Sequence, residues 1–232
     1  MEKLEQKGID SFNIAYQPII DLKNGKIYGY EALLRPKREK PEEYIKKAKM
    51  SGRLLELEML ICHTIAQQNR KRNDDSKVFI NLTPYSFAYS DGIVMIDALS
   101  LINPSKVVIE ITEAMRLPND ISKTVKTWRD RGYRLAIDDI NQGYSRLSAV
   151  AEIMPDFIKI DRKCIASASQ SSSWAKILEG LVNLARSINA KTIGEGVETE
   201  EEKELIIKYG LDFGQGYYFG MPAITEKVSR AV

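Results

Sequence analysis

Short apolar runs alternate with longer amphipathic stretches along most of the chain. Runs at Asn13–Ile20, Lys26–Leu34, Val78–Leu82, Val107–Thr112, Arg134–Asp138, Phe157–Ile160, Thr192–Glu195 and Phe213–Phe219 have the length and character of buried strands. Helical spacing of apolar residues marks Pro41–Ser51, Leu54–Arg70, Ile121–Arg131, Tyr144–Glu152, Ser173–Asn189 and Glu200–Tyr209, and Pro84–Leu101 reads as one or two short helices. Strand then helix, repeated, means a parallel sheet with crossover helices. Eight strands with seven helical layers predict an α/β fold, a closed (β/α)8 TIM-like barrel. One link departs from that ideal. The first two runs are joined only by Asp21-Leu22-Lys23-Asn24-Gly25. A parallel connection needs about a dozen residues, and Asn-Gly is a hairpin signal, so the first strand should be antiparallel. Ser167–Ser173 is the most linker-like stretch. Dividing the chain there would leave an incomplete barrel, so it is expected to be a loop inside a single domain over 1–232, with 1–11 as an N-terminal extension.

Polar side chains inside apolar strands are costly unless paired or metal-bound. Here they recur toward the C-terminal ends of the strands: Glu31, Asn81, Glu110 with Glu113 after it, Asp138 and Asp139, Lys159, Glu195 with Glu198 after it, and Gln215. Any one alone reads as a cap or an ion-pair partner. In a barrel, though, these ends converge on one face, where active sites are built. Five or more acidic groups meeting there would repel one another without cations between them. One or two divalent ions, with Lys159 as a further fixed positive charge, resolve the repulsion. Such a site suits metal-assisted hydrolysis of a phosphodiester. Proton abstraction next to a carboxylate, as in enolase-like barrels, uses similar groups. Those enzymes usually carry a capping domain, for which this chain has no room.

Composition narrows the chemistry further. The single histidine, His63, lies in the helical pattern of Leu57–Ile65 and reads as a helix-face residue. Ser-His-Asp catalysis and multi-histidine zinc sites therefore have no basis here. Any metal must be held by carboxylates, which selects hard cations such as Mg²⁺ or Mn²⁺. With 34 basic against 32 acidic residues, the net charge of +2 gives no basic excess for bulk nucleic acid or an anionic membrane. Arg35–Lys40 and Arg70–Arg72 read as solvated surface, Arg35 apart. No apolar run approaches ~18 residues, so no membrane insertion is expected. Met1–Asp10 lacks the apolar region of a signal peptide, which points to the cytoplasm. Cys62 and Cys164 are too few for a disulfide framework and read as buried thiols of a reducing compartment.

At these positions the sequence resembles the EAL-domain family of bacterial cyclic di-GMP phosphodiesterases, over about Phe12 to Pro222. Glu31-Ala32-Leu33-Leu34-Arg35 matches the Glu-Ala-Leu-x-Arg signature, and Asn81-Leu82-Thr83 the family's Asn-x-Ser/Thr. Glu110-Ile111-Thr112-Glu113, Ile137-Asp138-Asp139, Phe157-Ile158-Lys159-Ile160-Asp161, Glu195-Gly196-Val197-Glu198-Thr199 and Gln215-Gly216-Tyr217 complete the set. The resemblance implies that Glu31, Asn81, Glu110 and Asp138 ligate a first metal and that Asp139 helps hold a second. It implies Mg²⁺ or Mn²⁺, two ions with substrate bound. Glu195 would serve the attacking water as general base or second-metal ligand, and Lys159 would orient that water or sit against the phosphate. Arg35, Leu33, Gln215 and Asp139 would contact cyclic di-GMP, and Glu113 would anchor the loop after Asp139. The implied product is linear pGpG. The implied setting is bacterial second-messenger signalling by a homodimer, in a family whose members often carry sensory or cyclase domains, not present in this chain.

One segment departs from the family. Where the family usually has Phe-Gly-Thr-Gly-Tyr-Ser-Ser, this chain has Ile140-Asn141-Gln142-Gly143-Tyr144-Ser145-Arg146. That loop is thought to couple dimerisation to metal and substrate binding. The departure keeps a second reading open: a catalytically degenerate domain acting as a cyclic di-GMP receptor or protein-interaction module.

Overall fold

The computed structural model describes residues 11–70, 74–111, 121–138, 140 and 144–224, with the side chains of 144–146 excepted. Strands β1 (Phe12–Asp21), β2 (Ile27–Pro36), β3 (Lys77–Leu82), β4 (Val107–Ile111), β5 (Arg134–Ile137), β6 (Phe157–Ile160), β7 (Lys191–Gly194) and β8 (Phe213–Gln215) close into a barrel in sequence order. β1 runs antiparallel to both neighbours, pairing Gln17 with Glu31 of β2 and Ile19 with Gln215 of β8. Every other adjacent pair is parallel. The hairpin that reverses β1 is set by local polar bonds. Asp21 accepts from the Lys23 N–H at 2.8 Å and from the Asn24 amide at 3.0 Å. Asn24 in turn accepts from the Lys26 N–H at 2.8 Å, and Gly25 takes the left-handed φ of 68° that the turn needs.

Helices α1 (Pro41–Met50), α2 (Leu54–Asn69), α3 (Pro84–Ala88), α4 (Ile93–Ala98), α5 (Ser122–Asp130), α6 (Tyr144–Ile153), α7 (Arg162–Gln170), α8 (Ser172–Ser187) and α9 (Glu200–Tyr209) lie between the strands. The expected loop at Ser167–Ser173 is helical instead, with a single break at Ser171 between α7 and α8. Asp161 caps α7 by accepting from the Cys164 N–H at 2.8 Å. Cys164, Ile165 and Ala168 form a buried helical stripe against the barrel, so packing holds the serine-rich tract in a helix despite its weak propensity. The last strand also ends earlier than the apolar run suggests. β8 stops at Gln215 because Gly216 turns the chain, and the N–H groups of Phe219 and Gly220 both bond to its carbonyl. Pro84–Leu101 resolves into α3 and α4 joined by a short 3₁₀ turn.

Two apolar regions hold the molecule together. The larger lies between strands and helices, where Trp128 of α5 stacks on Phe87 of α3 with ring centroids 5.5 Å apart. The smaller fills the barrel interior with Ile19, Phe79, Val108, Ala136, Phe157, Ile193 and Phe213. Side chains alternate faces along a strand, so the residue two positions on from each of these also points inward, one layer higher. Those residues are Asn81, Glu110, Asp138, Lys159, Glu195 and Gln215. In antiparallel β1, the residue two positions before Ile19 does the same, and that residue is Gln17. The apolar plug thus carries a polar layer directly above it.

Candidate active site

Lys159 stands at the centre of the polar layer and is 1% exposed. Its ammonium lies 2.7 Å from Glu195, 3.0 Å from Glu110, 3.4 Å from Glu31 and 3.7 Å from Asp138. Burial alone would push the Lys159 ammonium down. Asp138, Glu110, Glu195 and Glu31 outweigh it and hold the group well above the usual lysine range, so it stays charged. Four carboxylates therefore face one fixed cation. Burial raises Glu110 well above the ordinary carboxylate range, and Lys159 only partly offsets this against repulsion from Glu31, Asp138 and Glu195. Glu195 is raised for the same reasons. Glu31 is the exception. Burial pushes it up, but Lys159 and the hydrogen bonds from Asn81 and Gln215 hold it below its ordinary value. Those bonds are 2.8 Å from Asn81 to one oxygen and 2.6 Å from Gln215 to the other.

The donor set tests whether a metal could sit here. Among the described residues, no three Asp, Glu, His or Cys side chains are grouped as a ready metal site. Lys159 occupies the point on which the carboxylates focus. Glu31, Asn81, Glu110 and Asp138 nonetheless offer oxygen donors to a hard cation, and beyond its 3.0 Å ion pair with Lys159 the Glu110 carboxylate has no hydrogen-bond donor facing it. The Asn81 amide, turned over, would present its carbonyl oxygen to an ion in place of the N–H now given to Glu31. The residues fit a divalent ion that shares the carboxylates with Lys159. Asp139 and Glu113 lie outside the described residues.

Two clefts open above this layer, and Leu33 lines both. One, of about 630 Å³, is walled by Arg35, Lys46, Lys49, Asn81 and Asp138. The other, of about 360 Å³, is walled by Glu31, Arg162, Glu195, Gln215 and Tyr217. Arg35 is half-buried and gives one N–H to the Leu34 carbonyl at 2.9 Å. The Glu195–Glu198 segment is held from several sides. The Glu195 N–H bonds to Ile160 at 2.9 Å, and the Glu198 N–H to the Glu202 carboxylate at 2.6 Å. Glu198 makes a bidentate ion pair with Arg162. Gly216 lets the next segment pass so close that a Cβ there would sit 2.1 Å from the Val197 oxygen. His63 lies on the exposed face of α2, bonded to Gln67 at 2.8 Å, away from this site. Both cysteines are free and buried.

The family model described as the EAL domain matches residues 2–222. The chain belongs to the EAL-domain family. Among curated relatives of this EAL domain, the probable cyclic di-GMP phosphodiesterase PdeB of Escherichia coli K12 is 26% identical over 229 residues, 94% of this chain and 44% of that protein. The bifunctional diguanylate cyclase/cyclic di-GMP phosphodiesterase MucR of Pseudomonas aeruginosa is 29% identical, over 94% of this chain and 34% of that protein. The chain thus spans less than half the length of these relatives. The solved MucR phosphodiesterase in complex with c-di-GMP superposes with a TM-score of 0.83 at 28% identity, covering 93% of each chain. Klebsiella pneumoniae BlrP1, solved with manganese and cyclic di-GMP, gives 0.82 at 26% identity, covering 96% of this chain and 58% of that one. Among the described residues of this EAL domain, no helix is long and apolar enough to cross a membrane.

The polar layer predicts a specific stability effect. In metal-free protein, Lys159→Met should cost about 3–5 kcal/mol, the range for stranding buried charges by removing their partner. Protonating the stranded carboxylates relieves the repulsion, so the loss should be larger at neutral pH and shrink as the solution is acidified. Urea unfolding in chelator at the two pH values checks this, and a pH-independent loss would contradict it.

Proposed function

We propose that this chain is a divalent-metal-dependent phosphodiesterase that opens one ester of cyclic di-GMP to give linear pGpG. The observation carrying the proposal is the ring of Glu31, Asn81, Glu110, Asp138, Lys159 and Glu195 above the apolar plug, beneath two clefts of unequal size. The names of PdeB and MucR, and the c-di-GMP and manganese in the solved relatives, support the substrate and the metal class. In this reading Glu31, Asn81, Glu110 and Asp138 hold one Mg²⁺ or Mn²⁺, and Asp139 helps hold a second. Bound ions of this kind polarise phosphoryl oxygens and acidify water. Glu195 takes the proton of the attacking water. Lys159, 2.7 Å away, orients Glu195 and balances the charge that forms. The guanidinium fork of Arg35 pairs with a phosphate, beside Leu33 and Gln215. Water oxygen bonds to phosphorus as the bond to the ribose oxygen breaks, and that oxygen takes a proton from solvent to leave as a hydroxyl, while the proton on Glu195 returns to solvent. Glu113 anchors the loop after Asp139. The reading includes a single barrel domain acting in the cytoplasm as a homodimer.

The departure at 140–146 favours a second reading, the non-catalytic receptor. Ile140 is buried, and its N–H bonds to the Lys159 carbonyl at 3.3 Å, so the loop starts on the site itself. Asn141 is the best non-glycine substitute where a loop needs positive φ, and Gln142 replaces a short hydroxyl with a longer amide. The triple variant Ile140→Phe, Asn141→Gly, Gln142→Thr should therefore raise a weak native turnover, most of all at low metal concentration. If both proteins bind cyclic di-GMP and neither makes pGpG, the receptor reading replaces the catalytic one. Brisk native turnover that the variant leaves unchanged would make the loop's departures neutral.

A further inference from the structure

Gln17 lies in the middle of β1, is 9% exposed, and sits opposite Glu31 in the β1–β2 register. Its Nε2 donates to the Gly220 carbonyl at 3.1 Å. Its Oε1 accepts from Gln215 Nε2 at 3.2 Å, and the same Gln215 nitrogen donates to Glu31 at 2.6 Å. Both ends of this relay are acceptors. The Gly220 carbonyl cannot donate, and an ionised Glu31 cannot either. The amide orientations follow from the two ends. Turning Gln17 over would set its oxygen against the Gly220 oxygen. Turning Gln215 over would set its oxygen against both Glu31 and Gln17. The arrangement leaves the buried Gln215 Oε1 with no hydrogen-bond partner, and both of its N–H hydrogens are used.

The anchor is fixed as well. The segment carrying Gly220 is stitched to β1 next to Gln17. Tyr16 donates to the Ala223 carbonyl at 2.9 Å, and the Ala223 N–H returns to Tyr16 at 3.1 Å. The Gly220 N–H bonds to Gly216 at 3.0 Å. A Cβ at Gly220, where φ is 154°, would meet Pro18 at 2.7 Å, so this glycine lets the segment lie against β1.

We infer that Gln17 is a positioning residue for Glu31: it transmits the polarity of the Gly220 carbonyl to Gln215, which then holds one Glu31 oxygen by a donor. The inference rests on the proposed reading of Glu31 as a metal ligand. Gln17 touches neither a metal nor a substrate in this scheme. It fixes which face of a neighbouring amide the ligand meets, the way outer partners orient first ligands at metal sites.

The test is Mn²⁺ binding to the full chain without nucleotide, read as free Mn²⁺ by electron paramagnetic resonance. Gln17→Met keeps volume and removes the relay. It should weaken Mn²⁺ binding by about tenfold, the low end of the range for outer partners. Gln215→Met should do the same. The double variant should lose less than about a further twofold, because the two residues act along one path. A purely structural Gln17 would lose the same factor in both backgrounds, and that result overturns the inference. So does Mn²⁺ binding to Gln17→Met as tight as to the unmodified chain. If Gln17→Met does not fold, Gln17→Asn serves. It keeps the amide but is too short to reach Gly220 and Gln215 together, and should show the same loss and the same non-additivity. Failure of the unmodified chain to bind Mn²⁺ would instead overturn the metal reading, and the inference with it.

Discussion

Glu195→Gln should slow hydrolysis of cyclic di-GMP by about 10²-fold or more, the range for loss of a general base, while cyclic di-GMP still binds. Glu195 emerges just beyond β7, and its carboxylate lies 2.7 Å from the Lys159 ammonium. Glutamine keeps the shape and can still accept a hydrogen bond from Lys159, but it cannot take a proton from water. Its backbone is fixed by Ile160, and the following residues by Gln215, Glu202 and Arg162, so the substitution leaves the segment in place. The effect should fall on kcat with little change in KM. A base works only when deprotonated. The wild-type rate should therefore climb with pH as the Glu195 carboxyl ionises, and that rising limb should vanish in Glu195→Gln. Near-normal turnover by the variant, with the same pH profile, would remove Glu195 from the mechanism. Circular dichroism and nucleotide binding on the same sample separate lost chemistry from a lost fold.

Most of this site is legible in the sequence, because a strand's period of two ties chemistry to packing. Phe79 and Asn81, Val108 and Glu110, Phe157 and Lys159, and Ile193 and Glu195 are each two residues apart. Each pair puts an apolar residue in the plug and a polar one above it. Looking for polar residues toward the C-terminal ends of strands therefore finds seven parallel contributors. The same rule misses Gln17. β1 is antiparallel, so it brings its N-terminal half to the face where the other strands end. The signal was present in the short Asp21–Gly25 turn, which predicts the reversal. Counting back across that hairpin from Glu31 leads to Gln17. Arg162 and its pairing with Glu198 leave no such trace. Arg162 opens α7, and only the tertiary fold brings it to a segment more than thirty residues on. The serine-rich tract misled for a related reason. Its side chains bond back to the helix, as Ser169 does to the Ala166 carbonyl at 2.7 Å, and burial of Cys164, Ile165 and Ala168 overrides its loop-like composition.

In the proposed reading, charge is what calls for a metal. Around Lys159, four carboxylates meet one ammonium in a buried layer, and burial together with their mutual repulsion pushes Glu110 and Glu195 upward. In that reading a divalent ion held by Glu31, Asn81, Glu110 and Asp138 would supply the missing positive charge and favour the ionised carboxylates. The decisive measurement is pGpG formation from cyclic di-GMP by protein stripped with EDTA, before and after adding back a metal. No pGpG should form in excess EDTA. Mg²⁺ or Mn²⁺ in excess of the chelator should restore it, and Ca²⁺ should restore it poorly, because its looser and larger coordination shell positions water badly. Undiminished pGpG formation in EDTA would contradict the account.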